Sequence, residues 1–396
     1  GANYDEAIPL WKRPLNRWRF DTHIVNLGMM LKSEAVSHEI LGEDYTDHAE
    51  DLHEILAKYN GTPVGIFTGD ECLSGLSPIQ GTELCAGAEQ MYSYEHLFAA
   101  TGDFKWAERL EVLAFNALPA TISDDMWTHQ YVQMSNQISC EKFPGRSLFR
   151  TNGAEAHLFG LEPNYGCCTA NLSQGWPKFA ASTWMDFSDS EAGEGFVAVA
   201  YAPSAVRAVR NGVNVRAAMD TEYPFRDSVR FVFDISGKAS FPFKFRIPGW
   251  CKNASIVEAD GSVTSCMVSG EYLTRIIATD GPATITITLN LPAEGKWVGV
   301  YENLDKYAAG QEIVYTVKEI EELQGEAYDF GVESVLHNRF DLSWHDAEKV
   351  RKEVAKLQTT FQWIPVTERL PEDDLAVKKH IEGEKFGFLT VLVYNG

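Results

Sequence analysis

The stretch DFSDSEAGEGFVAVAYAPS, residues 186–204, is where the chain changes character. Before it, apolar residues recur at the three- to four-residue spacing of helices, and after it they alternate with the period of two that suits half-buried strands. The chain therefore reads as helices first and strands second. That order predicts an α+β multidomain fold, with the Ser, Asp, Glu and Gly residues of 186–195 as the joint.

Downstream, FVAVAYAPS (196–204), VNVRAAM (213–219), VRFVFDIS (229–236), FPFKFRIPGW (241–250), YLTRIIAT (272–279) and ATITITLNL (283–291) each read as a strand bounded by turn residues. Short strands at this spacing predict an antiparallel β-sandwich over 188–300. Beyond Trp297 the signal weakens. KEIEEL (318–323) and HDAEKVRKEVAKL (345–357) read as helical and GFLTVLVYN (387–395) as a strand, so 301–396 is a mixed C-terminal region with no assigned role.

Upstream, residues 1 to about 21 are rich in Pro, Trp and Arg and read as a connecting segment. Helical spacing runs from Thr22 to Gly42, from Thr46 to Tyr59, from an N-cap at Thr82 to Thr101, and from Phe104 to Ala117 with Pro119 closing it. A last helix is predicted from Ala170 to Met185, interrupted early by Pro177. Helix upon helix with short connections is the pattern of an antiparallel helical array over 1–187. Residues 61–81 form a loop of about twenty residues, a length that usually signals function. His38, His48 and His53 read as surface or core positions.

The formal net charge is −22, from 34 basic and 56 acidic residues, which repels phosphate backbones and anionic lipid. Nucleic acid and membrane are therefore excluded as partners. No apolar run reaches roughly 18 residues, and GANYDEAIPL has neither the basic nor the apolar region of a secretory leader. Seven scattered cysteines make an unpromising disulfide framework. Thiolate ligands favour a reducing compartment, which points to the cytoplasm.

Chemistry concentrates in two remote segments, GDECLSGLSPIQGTELC (69–85) and NYGCCTAN (164–171). Zinc takes four tetrahedral ligands and prefers thiolate and imidazole while accepting carboxylate, so Glu83, Cys85, Cys167 and Cys168 make a full set for Zn2+. The plain alternative is that each cysteine simply packs. Adjacent cysteines weaken it, because neighbouring side chains diverge unless the backbone turns, and Gly166 stands where such a turn is expected. From the residues alone, a structural zinc site leads. The aromatic and amide run DDMWTHQYVQMSNQ (124–137) suits a carbohydrate cleft as well as it suits a loop packed on helices.

These segments, with ATGDFKWAERLEVLAFNALPA (100–120), LFGLEPNYGCCTANLSQGWPKFAAS (158–182), YPFRDSVRF (223–231) and FRIPGW (245–250), resemble glycoside hydrolase family 127 over roughly 16–291. The family's type activity is beta-L-arabinofuranosidase. The resemblance implies an (alpha/alpha)6-toroid-type helical domain followed by β-sandwich domains. Fewer helices precede the strands here than such a ring requires, so the chain resembles a member lacking much of the toroid's N-terminal half. It also implies that Glu83, Cys85, Cys167 and Cys168 hold zinc, that Cys167 is the nucleophile, and that Glu71 is the acid/base. Glu111, Tyr131 and His129 are expected in the sugar cleft, against the plain readings of a surface helix acid for Glu111 and a core tyrosine for Tyr131. Cys72 has no place in the family pattern, and Cys140, Cys251 and Cys266 are assigned to packing.

The implied reaction is a retaining double displacement on a terminal L-arabinofuranose or related furanose of a plant-type glycan, with the Glu71 carboxyl and Cys167 sulfur about 5 Å apart. Two rivals stand beside it. One is a zinc-stabilised carbohydrate-binding or scaffolding protein, and the other an inverting hydrolase using Glu71 and Glu111.

Overall fold

A computed structural model describes residues 4–14, 18–42, 45–76, 81–134, 136–137, 140, 149, 152–153, 155–160, 165–266, 268–292, 296–299, 389–390 and 392–395. The expected helices at 318–323 and 345–357 lie outside them. The chain divides into two compact units, Gly1–Ser93 with Asn116–Gln174 and Lys296–Asn395, and Tyr94–Phe115 with Gly175–Gly295.

The first unit opens with helices α1 (Ile8–Lys12), α2 (Ile24–Met30), α3 (Ser33–Leu41) and α4 (His48–Asn60). The N-terminal stretch is more than a connection. Trp11 of α1 is fully buried, its indole N–H donates to the Asp21 carbonyl at 2.8 Å, and its own carbonyl accepts from the Asn60 amide at 2.8 Å. The helix predicted over 22–42 is broken by a turn at Leu31–Lys32 into α2 and α3. Gly42 ends α3 at φ 68°, a conformation that glycine adopts without penalty.

A two-residue strand, β1 (Thr82–Glu83), precedes α5 (Leu84–Thr101). Thr82 is therefore not an N-cap. It pairs with Gln133, and Glu83 with Val132, in the antiparallel partner β2 (Val132–Gln133). After α5 come α6 (Phe104–Val112), a π turn at Leu113–Ala117 and the single turn α7 (Leu118–Ala120). Asp103 caps α6 by accepting from the Lys105 N–H at 3.0 Å. Next are β3 (Asn136–Gln137) and α8 (Gly166–Ser182), which starts earlier than predicted and carries Pro177 inside it.

The joint at 186–195 is itself structured. It belongs to a hairpin of β4 (Trp184–Asp189) and β5 (Gly193–Ala198), turned through Gly193 at φ 80°. The second unit continues through β6 (Ser204–Arg210), β7 (Val213–Thr221), β8 (Ser228–Ile235), β9 (Ala239–Ile247), β10 (Ala254–Val257), β11 (Val263–Cys266), β12 (Glu271–Thr279) and β13 (Ala283–Asn290). Among the described residues one sheet runs β11-β10-β13-β8-β7-β6 and the other β12-β9-β5-β4. Pairing is antiparallel except between β5 and β9, where Phe196 lies opposite Phe243 in a parallel register.

Alternation explains the core. Val229, Phe231, Phe233 and Ile235 of β8 point inward, and so do Phe241, Phe243 and Phe245 of β9. The rings of Phe231 and Phe233 each lie 4.9 Å from that of Phe243, so the two sheets share one aromatic core. Each such side chain contributes about 1.5–3 kcal/mol on burial. The outward face of β9 is also covered. Arg246, fully buried, pairs with Glu111 of α6, and Phe98 and Phe104 pack on Tyr272 of β12. Residues 94–115 and 175–182 thus group with the strands, whereas the sequence placed them in a helical domain ending at 187. Two further pairs are β14 (Lys296–Gly299) with β16 (Leu392–Asn395), and β15 (Leu389–Thr390) with β3.

Candidate active site

The site lies in the first unit, and local backbone pairing assembles it. The Gly69 N–H donates to the Gly81 carbonyl at 2.8 Å and the Glu83 N–H to the Gly69 carbonyl at 2.9 Å, closing the loop that carries Glu71 back onto β1. Both glycines are obligatory. A Cβ on Gly69 would stand 2.5 Å from the Cys72 carbonyl oxygen, and one on Gly81, at φ 69°, would stand 2.7 Å from the Gln133 carbonyl oxygen and nearer still to the Val132 side chain. On the other side of Glu71, the Ile24 N–H donates to the Glu71 carbonyl at 2.8 Å and His23 bridges to Cys72, which sets the imidazole beside the acid. The β1–β2 pairing brings Tyr131 alongside, its carbonyl accepting from the Leu84 N–H at 2.9 Å.

Glu83, Cys85, Cys167 and Cys168 each offer a ligand atom, and these atoms all lie within 4.8 Å of one another. The Cys85 and Cys168 sulfurs are 3.2 Å apart, far beyond the roughly 2.05 Å of a disulfide. Cys167 Sγ lies 3.9 Å from Glu83 Oε1. Donors around one tetrahedral zinc, at about 2.0–2.3 Å from it, stand roughly 3.3–3.8 Å apart, so the set fits a single ion. The other oxygen, Glu83 Oε2, is buried with no hydrogen-bond partner among the described residues, as a metal ligand's oxygen would be without its ion.

Within the adjacent pair Cys168 is buried and Cys167 exposed. The divergence comes from the first turn of α8 rather than from a special turn at Gly166, which is simply the helix's first residue and has no left-handed φ. Cys85 occupies the first turn of α5, so two helix N-termini face the cluster with their positive ends. Hydrogen bonds from Cys168 and Cys85 bring the Cys167 thiol down to about 3. The same contacts, chiefly with Cys167, push Cys85 upward, and burial does so for Cys168. The most exposed sulfur is thus the one that ionises first.

Glu71 is held at both oxygens. His23 Nε2 lies 3.0 Å from Oε2 and the Tyr131 hydroxyl donates to Oε1 at 2.5 Å. Burial alone would raise its pKa, but the His23 and Tyr131 hydrogen bonds outweigh it and the net direction is down. Buried Asp70 braces the loop by accepting the Asn152 backbone N–H at 2.9 Å. Tyr131 is at once buried and in contact with the acid, stacked on Tyr165 at 4.4 Å. His129 is nearly buried, and its Nε2 meets the Thr169 hydroxyl at 2.9 Å, tying the irregular segment to the first turn of α8.

Glu111 belongs elsewhere. In the second unit its carboxylate receives Arg246, the Tyr223 hydroxyl and, at 3.3 Å, the Tyr201 N–H. With both oxygens engaged and only 6% of the residue exposed, it serves as a buried ion-pair partner, and it is not the surface acid of the plain reading either. Cys251 and Cys266 pack in the core as expected, Cys72 is buried against Arg19, and Cys140, expected to pack, is exposed. His23, Asn152 and Thr169 were not singled out from the sequence. Only proximity in the fold marks them.

Residues 196–293 match the family model "Beta-L-arabinofuranosidase, GH127 middle domain". In fold, the chain is similar to a GH127 beta-L-arabinofuranosidase from Geobacillus stearothermophilus T6, at 18% identity and TM-score 0.57, over 70% of this chain and 43% of that one. The chain is GH127-like in fold, and in sequence over the matched residues. A solved glycoside hydrolase (17% identity, TM-score 0.56, 72% and 49% covered) and a GH127 beta-arabinofuranosidase (17%, 0.56, 68% and 43%) agree. The GH127-like chain spans less than half the length of these proteins. Its family match falls on β5 to β13 of the second unit and does not include the residues of the cysteine cluster. A second match, to "Cna protein B-type domain", covers 274–339 and overlaps the first on β12 and β13. No curated protein matches. Among the described residues no helix is long and apolar enough to cross a membrane.

Proposed function

We propose that this GH127-like chain is a retaining glycosidase for terminal L-arabinofuranose or a related furanose, with Cys167 as nucleophile and Glu71 as acid/base. The observation that carries this reading is the asymmetry of the cysteine cluster, in which two sulfurs and a carboxylate are buried while the third sulfur, the most acidic, faces outward. A site that only stapled loops together would gain nothing from leaving one of its sulfurs exposed. Glu83, Cys85, Cys167 and Cys168 would hold zinc, whose charge keeps coordinating thiols deprotonated near neutral pH.

In the first step Glu71 gives its proton to the glycosidic oxygen while the Cys167 sulfur attacks the anomeric carbon. The C–S bond forms as the C–O bond breaks, and the aglycone leaves as an alcohol. In the second, Glu71 as carboxylate takes a proton from water, whose oxygen displaces the sulfur and restores the thiolate. His23 and Tyr131 fix the orientation of the acid, and His129 anchors the α8 turn that presents the sulfur. We read the helical part as toroid-like and the two sheets with their shared core as a β-sandwich that opens at β4. The thiol ligands fit a reducing compartment such as the cytoplasm.

Cys167→Ser tests the assignment. Activity on an aryl beta-L-arabinofuranoside is expected to fall by at least ~10³-fold, with no glycosyl adduct by mass spectrometry. Undiminished turnover would remove Cys167 as nucleophile. A chain that binds metal yet shows no activity in any form would favour the scaffolding role.

A further inference from the structure

Glu83 belongs to two donor groups at once. Its ligand atoms lie within 4.8 Å of the three cysteine sulfurs, and also within 4.8 Å of donor atoms on His23 and Glu71. One oxygen, Oε1, faces Cys167, while Oε2 is buried and without a hydrogen-bond partner. His23 Nε2 and Glu71 Oε2 stand 3.0 Å apart, close to the spacing of two neighbouring ligands at roughly 2.1 Å from one ion. His23 Nδ1 has no partner among the described residues, so the ring can carry its proton there and turn the Nε2 lone pair to a cation in exchange for the Nε2–H bond to Glu71. An imidazole and two carboxylates are a donor set suited to zinc, manganese or iron(II).

We propose that the chain holds a second divalent cation between His23, Glu71 and Glu83, with the Glu83 carboxylate bridging it to the metal of the cysteine cluster. The proposal rests on reading that cluster as a metal site. The charges favour it, because Glu71, Glu83 and the Cys167 thiolate are crowded together and a cation between them relieves their repulsion. The consequence is regulatory. A cation on Glu71 occupies the carboxyl that hydrolysis needs free, so metal in excess of the first equivalent switches the enzyme off and a weak chelator restores it.

Cobalt(II) titration of the full chain tests this with a readout independent of activity. The first equivalent should develop thiolate-to-cobalt charge-transfer absorption, and the second should add only weak d–d bands, for about two ions per chain in all. In His23→Gln and in Glu71→Gln the second equivalent should vanish while the charge-transfer band stays, which also shows that the variants are folded. Saturation of the wild type at one thiolate-bound ion, or a second ion persisting in both variants, would overturn the proposal. A first ion without the charge-transfer band but lost in His23→Gln would support the His23 site and sink the cysteine-cluster reading instead.

Discussion

Two acids, Glu111 in the second unit and Glu83 in the first, are almost sealed from solvent and are held in opposite ways. Glu111 meets Arg246, whose guanidinium is fully buried, and hydrogen-bond donors take up both its oxygens. Glu83 has no ion pair with Lys or Arg among the described residues. Its neighbours are three sulfurs, Glu71 and His23. Burial, then the charge of Glu71, pushes the Glu83 carboxyl well above the usual range. A buried acid that brings its counter-charge fastens a fold. One ringed by further donors that are mostly negative when ionised is a ligand set that a cation completes.

Removing the cation proposed for that set should have the largest effect. Structural zinc binding is worth on the order of 10 kcal/mol, so a strong chelator is expected to lower the melting temperature sharply. A melting curve unmoved after verified metal removal would erase the distinction between the two acids. Next comes Glu111→Ala, which strands Arg246 in the core and should cost about 3–5 kcal/mol by denaturant unfolding. Bound metal should stay unchanged, and its loss would place Glu111 in the same class as Glu83.

Tyr131→Phe sharpens the picture of Glu71. The tyrosine donates to the carboxylate and helps hold its pKa down, so its loss raises the acid's pKa. The first chemical step needs protonated Glu71 and slows as pH rises through that pKa. The alkaline limb of kcat/KM should therefore move to higher pH, and a limb that stays put would separate Tyr131 from the acid. The same depressed pKa stabilises the fold above the unfolded value of about 4.3, and that contribution is lost as pH falls through the folded value. Smallest is Asp103→Ala, which removes the α6 cap at a cost of about 1 kcal/mol and should leave metal and activity alone.

The candidate donor set, which the fold brings together, was legible because Glu-x-Cys and Cys-Cys are unusual pairings whose donor chemistry needs no geometry to recognise. His23 was not, since nothing in FDTHIV marks it and a chain reversal at Cys72 brings it to Glu71. Glu111 was misplaced for the converse reason. An acid on an amphipathic helix reads as exposed or functional unless its partner is known, and Arg246 is supplied by β9 far along the chain. β4 was hidden because a helical stretch runs directly into it, and β6, β10 and β11 are short or polar enough to pass as turns.

The order of helices before strands, the inward aromatics of β8 and β9, and the candidate donor residues follow from the sequence, because period and side-chain chemistry are local properties. Which cysteine faces solvent, which acid is neutralised and which histidine meets Glu71 were decided by the tertiary structure alone. Those outcomes depend on charges and donors meeting across long stretches of chain, and the energy of a buried charge is set by what surrounds it in space.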